Sequence, residues 1–151
     1  MSESPSTYLK RFLSDVDGIV GLYVSDKDGV LIASASAEDI TDQITQPYIL
    51  KAFISSIQQS NKLGMGGLEW MLTRYQDMMI CQFNYSDNRL PFPLFLTVVG
   101  TPDCDLGSIL AAEPFIRSLL ARLGPQVVLR MQNEMMMCRN SEERSTLLLT
   151  G

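Results

Sequence analysis

Apolar residues recur along this chain in two alternating rhythms. Tyr8, Leu9, Phe12, Leu13 and Val16, with Lys10, Arg11, Ser14 and Asp15 between them, have helical spacing. Ser4 or Ser6 can cap that helix, Pro5 suits its first turn, and Gly18 ends it. Ile19–Ser25 is apolar at both parities, the mark of a strand covered on both faces. The turn Asp26-Lys27-Asp28-Gly29 joins it to the run Val30–Ala35, a strong hairpin signal.

A second helix follows. Glu38–Thr41 can begin it, Thr41 or Asp42 can cap it, and Pro47 marks a kink or its true first turn. Leu50, Phe53, Ile54 and Ile57 form its core-facing stripe. It stops at Gly64-Met65-Gly66-Gly67, with Gly64 as C-cap. Leu68–Tyr75 alternates Trp70/Leu72/Arg74 against Met71/Thr73/Tyr75, and Gln76-Asp77 turns it into Met78–Asn84. Tyr85–Pro93 reads as a loop, Leu94–Gly100 as another strand apolar on both sides, and Thr101-Pro102-Asp103 as its break. Ile109, Ala112, Ile116, Leu119, Leu120 and Leu123 then share one helix face, with Asp105 as cap and Pro114 as a kink or the start of a longer half. Gly124-Pro125 should interrupt or end this helix, and residues 132–151 read as a loosely ordered tail, or else a short helix, behind a domain spanning 1–131.

The order α-β-β-α-β-β-β-α folds most simply into one five-stranded antiparallel sheet between helical layers, an α+β sandwich. One long helix covers one face and two helices cover the other.

Composition removes most chemistry. There are 151 residues, 46% hydrophobic and 19% charged, enough for one self-sufficient core. Histidine is absent, which excludes Ser/His and Cys/His nucleophile pairs and His metal ligands. Cys81, Cys104 and Cys138 fit neither zinc nor CxxC spacing, so no metal and no cofactor is expected. A formal charge of −5 argues against nucleic acid as a partner. Asp26/Asp28/Gly29 starts like a calcium loop, but the twelfth position is Ala37 where such a loop needs Glu. No secretory signal, acylation motif or spanning apolar run is seen, so contact with a membrane would come only through partners.

Several stretches taken in order resemble the roadblock (dynein light chain) family, and within it the MEK-partner scaffold subunits of the Ragulator complex. They are Leu9–Leu13, Val24–Val30, Ser60–Gly64, Tyr75-Gln76, Cys81–Asn84 and Arg89-Leu90-Pro91. The departures are an inserted Tyr85–Asn88 and the extension past Met131. The resemblance implies the roadblock fold and a non-enzymatic scaffold that heterodimerises with a second roadblock subunit, sheets edge to edge and second helices side by side. It further implies a lipid-anchored Ragulator scaffold subunit, Rag GTPases held on late endosomes and lysosomes for TOR-kinase activation, and recruitment of MEK and ERK kinases.

In the strand order expected for that fold, Leu68–Tyr75 is an edge. Leu68, Trp70, Met71, Leu72 and Arg74 then line it without proline or lysine protection, and Trp is a common interface anchor. Trp70 either meets a partner or packs under a helix. On the second helix Tyr48, Ala52, Ser56 and Gln59 lie off the core stripe, where they either meet a partner helix or form a solvated face. Three rival readings stand beside this one. They are a roadblock homodimer acting directly on a small GTPase, a small enzyme built on Asp15, Asp17, Asp26, Asp28 or Cys81, and a profilin-like domain.

Overall fold

A computed structural model describes residues 5–37, 47–86 and 93–150. The helix start expected at Glu38–Thr41, its caps Thr41 and Asp42, and the Arg89-Leu90-Pro91 stretch lie outside the described residues. Within them the chain runs α1 (Pro5–Asp15), β1 (Ile19–Ser25), β2 (Leu31–Ser36), α2 (Pro47–Asn61), β3 (Trp70–Arg74), β4 (Met79–Tyr85), β5 (Leu94–Gly100), α3 (Leu106–Ala111) and α4 (Glu113–Thr150). The strands form one sheet in the order β2-β1-β5-β4-β3, and every neighbouring pair is antiparallel.

Burial falls from the middle of the sheet outward. Every residue of β5 is buried, whereas no residue of β3 is. The two faces carry different chemistry. Leu22 and Val24 of β1, Leu94, Leu96 and Val98 of β5, and Cys81 and Phe83 of β4 join Leu9 and Phe12 of α1, Ile109 of α3, and Ile116, Leu119 and Leu120 of α4 in a continuous apolar core. The opposite face has a smaller core of Leu50 and Phe53 from α2 against Phe95, with Ile54, Ile57, Leu68 and Met71 around it. Phe53 is fully buried and meets the Phe95 ring edge-on at 5.7 Å, so it pins α2 to the sheet. This second face also buries polar side chains. Gln82 Nε2 donates to Thr97 Oγ1 (3.3 Å) and to the Ile49 carbonyl (3.4 Å), tying β4 to the first turn of α2.

The Asp26–Gly29 turn is a structural device. Asp26 is buried, and its Oδ1 accepts the main-chain N–H groups of Asp28 and Val30, both at 2.9 Å. Gly29 closes the turn at a φ of +84°, a conformation open to glycine at no steric cost. That is the turn reading of these acidic residues, with the strand beginning at Leu31.

The final helical region is divided as one reading of Pro114, the start of a longer half, has it, and differs from expectation in two ways: a third helix in the layer opposite α2 and no break at Gly124-Pro125. It is split at Ala112 into α3 and α4, because Pro114 has no N–H to continue the ladder and falls in the first turn of α4. Asp105 caps α3 as expected, its Oδ1 accepting the Gly107 N–H (3.1 Å) and its Oδ2 the Ser108 hydroxyl (2.9 Å). The outer layer opposite α2 therefore holds three helices, α1, α3 and α4. The second difference is that Gly124-Pro125 does not end α4, which runs 38 residues with Pro125 inside it. The loosely ordered tail expected at 132–151 is helical through Thr150, with the side chains of 132–146 exposed. Leu, Met, Arg, Gln and Glu, all good helix formers, carry the backbone on where periodicity is lacking.

Candidate partner interface

Strand β3 is one of the two edge strands of the sheet, with β2 at the other end, as expected of the Leu68–Tyr75 segment, though the regular strand is shorter at Trp70–Arg74. Its hydrogen-bond phase follows from two contacts. The Asn84 N–H donates to the Glu69 carbonyl and the Tyr75 N–H to the Met78 carbonyl, both at 2.8 Å. In an antiparallel ladder such residues alternate. Residues 69, 71, 73 and 75 thus turn their main-chain groups toward β4, while Trp70, Leu72 and Arg74 turn theirs away from the sheet. Among the described residues no strand pairs with these three outward donor–acceptor sites, a template for another strand.

The side chains alternate at right angles to that phase. Trp70 and Leu72 are half-buried against the α1–α4 core, and Arg74 beyond them is exposed. Trp70 thus packs in part within its own subunit and leaves the rest of its side chain accessible. Leu68 and Met71 lie on the other face against the α2 cluster. Along α2, Tyr48 is 74% exposed, Ala52 and Gln59 are exposed, and Ser56 is half-buried with its hydroxyl donating to the Ala52 carbonyl at 2.9 Å. The structure brings Leu68 and Met71 onto the face that α2 covers, and places Tyr48, Ala52 and Gln59 on the outer side of that helix.

Sequence reasoning did not single out Leu63 and Met65, 70% and 87% exposed just past α2, although Leu63 continues the four-residue spacing from Gln59. It also gave no role to the Gln82 and Asn84 side chains, whose partners lie 33 and 16 residues away in the chain.

Cys81 lies in the main core with its thiol pushed from 9.0 up to about 12, first by burial and then by Cys104 and Glu113 nearby. Burial likewise raises the Cys104 thiol, with Asp105 adding to it. Both are poor nucleophiles, while Cys138 is exposed. Among the described residues no group of three or more Cys, Asp and Glu could hold a metal ion, and no helix is long and apolar enough to cross a membrane.

Known structures define the fold class. The chain matches a roadblock/LC7 domain from Streptomyces avermitilis with a TM-score of 0.59 at 12% identity, covering 84% of this chain and 99% of that one. It matches the gliding protein MglB of Thermus thermophilus with a TM-score of 0.65 at 13% identity, covering 83% and 95%. At such identities the likeness establishes the fold alone: this is a roadblock-fold α+β protein.

Sequence relatives narrow that class. The chain is 32% identical over 113 residues to the Ragulator complex protein LAMTOR3 homolog of Drosophila melanogaster, covering 75% of this chain and 86% of that protein. It is 27% identical over 128 residues to the Ragulator complex protein LAMTOR3-A of Xenopus laevis, covering 85% and 99%. The model of the family described as mitogen-activated protein kinase kinase 1 interacting matches residues 4–128, and the chain belongs to that family.

Proposed function

We propose that this protein is a non-enzymatic scaffold subunit of a Ragulator-like complex and works as one half of a heterodimer with a second roadblock subunit. The observation that carries this reading is the open edge of β3, with the outward main-chain groups of Trp70, Leu72 and Arg74 beside an α2 whose Tyr48, Ala52 and Gln59 are exposed. A partner strand laid along β3 supplies the missing main-chain bonds, while Leu68, Trp70, Met71 and Leu72 supply apolar contact. The partner's second helix would meet Tyr48, Ala52, Ser56 and Gln59. The relatives' place in Ragulator supports the wider assignment. In it the dimer sits on a lipid-anchored scaffold subunit at the cytoplasmic face of late endosomes and lysosomes, holds Rag GTPases for TOR-kinase activation, and recruits MEK and ERK kinases. The family description supports the kinase link. Membrane residence then depends on partners, and residues 1–131 form the roadblock body with the rest of α4 as an appendage.

The test is light scattering after size exclusion, on the chain alone and after co-expression with a second roadblock subunit. We expect a one-to-one heterodimer that the chain alone does not mimic. A stable monomer indifferent to that subunit overturns the reading. A tight homodimer also overturns it, in favour of direct action on a small GTPase.

A further inference from the structure

Between α2 and β3 the chain passes through Gly64-Met65-Gly66-Gly67. Gly64 and Gly66 sit at φ of +67° and +93°, and a Cβ at any of the three glycines would meet nothing within 4 Å. Glycine-rich backbone of this kind has the most conformations to lose, so the start of the edge strand needs a fixed point. The paired ladder begins only at Trp70 opposite Phe83. Upstream of it, two hydrogen bonds come from one residue at the end of β4. The Asn84 main-chain N–H donates to the Glu69 carbonyl (2.8 Å), and its side-chain Nδ2 donates to the Leu68 carbonyl (3.2 Å). Leu68 in turn packs on the α2 cluster beside Met71.

We infer that Asn84 is a positioning residue for the partner edge: its side-chain amide fixes Leu68 on the α2 face and so holds the first residues of β3 in line for a partner strand. This rests on the edge-pairing reading above. The amide gains one bond while its Oδ1 is buried with no hydrogen-bond partner among the described residues. A gained bond set against an orphaned acceptor contributes little net stability. Its effect is therefore local, confined to the segment that follows the glycines. An edge already ordered loses less freedom when a partner docks, which is how positioning becomes affinity.

Trp70 is the only tryptophan, so its fluorescence reports order at this point of β3. The full-length chain carrying Asn84→Ala, or the near-isosteric Asn84→Asp whose carboxylate offers no donor to the Leu68 carbonyl, is compared with wild type. In the isolated chain both variants lower Trp70 anisotropy and shift its emission to the red; Asn84→Ala leaves the unfolding midpoint nearly unchanged, whereas Asn84→Asp lowers it because a carboxylate is then buried beside the Leu68 carbonyl. Both weaken association with the second roadblock subunit roughly tenfold. Asp26→Ala, three strands away in the sheet, is the control: it lowers the midpoint and leaves Trp70 anisotropy and association as they were. Unchanged Trp70 fluorescence in Asn84→Ala overturns the inference, and so does a change that appears only as the midpoint falls. If wild type does not bind the second subunit, the interface reading fails, and Trp70 anisotropy still decides the role of Asn84.

Discussion

Cys81 shows how a single residue's environment decides its chemistry. In sequence it is a thiol on an apolar strand, and in the fold it is 1% exposed within the core between the sheet and α4. With its ionisation raised from 9.0 to about 12, it stays neutral throughout the ordinary pH range. The unfolded chain ionises this thiol near 9.0, the folded chain only near 12, so the unfolded state holds fewer protons between those values. The stability that depends on a neutral Cys81 is therefore fully present below about pH 9 and lost as pH rises toward about 12. Urea midpoints measured from neutral pH upward should be flat to about 9 and then fall, and Cys81→Ala should make the fall shallower. Thiol labelling at neutral pH should modify Cys138 first, with Cys81 and Cys104 reacting only on unfolding. In the acidic turn the Asp26 carboxylate accepts two main-chain N–H groups of the hairpin, so its role there is structural.

Strand β3 combines an outer edge with the large apolar side chains of Trp70, Met71 and Leu72. Its two sets of main-chain groups make separate demands that proline can distinguish. At Leu72 a proline removes an outward N–H and leaves the bonds to β4 in place, which edge strands tolerate. At Thr73 it removes an N–H that the β3–β4 ladder uses, a loss that is not tolerated inside a sheet. Leu72→Pro, which also withdraws a half-buried side chain from the core, should lower the thermal midpoint less than Thr73→Pro does while weakening heterodimer affinity at least tenfold, about 1.4 kcal/mol. Thr73→Pro should lower the midpoint itself. Calorimetry and titration with the second roadblock subunit would check this pair, and unimpaired association of Leu72→Pro would sink edge pairing. Strand identity and face alternation were legible here because period two is a local property of the sequence. Which alternate residues turn their N–H outward was not legible, because that phase is set by β4.

Across the whole molecule the main departure is α4. Its first turns bury Ile116, Leu119 and Leu120, while the residues from 132 to 146 are exposed along the same helix. The exposed length buries nothing, so it adds little to the stability of the body. We expect a chain ending after Met131 to unfold within a few degrees of the full chain, matching a difference of about 1 kcal/mol or less, and to pair equally well with its partner. Scanning calorimetry and the co-expression assay check both parts, and a large fall in either would place the extension inside the functional unit. A break at Gly124-Pro125 was the natural expectation, since proline costs a helix about 3 kcal/mol. It misleads here because one missing N–H does not stop a helix anchored by Ile116, Leu119 and Leu120 before it and continued by the Leu, Met, Arg, Gln and Glu that follow, even with Gly124 and Val127 near the proline.

Legible in the chain were the order of elements as far as β5, the central strands, the Asp26–Gly29 turn, the core stripe of α2 and the absence of histidine chemistry. Each of these is a matter of local periodicity, turn residues or composition. Tertiary structure alone decided that Gln82 ties β4 to α2, that Asn84 fastens Leu68, and that Trp70 is shared between its own core and the open edge. These depend on strand neighbours and register, and hydrogen bonds between residues 16 or 33 positions apart leave no periodic trace in the chain.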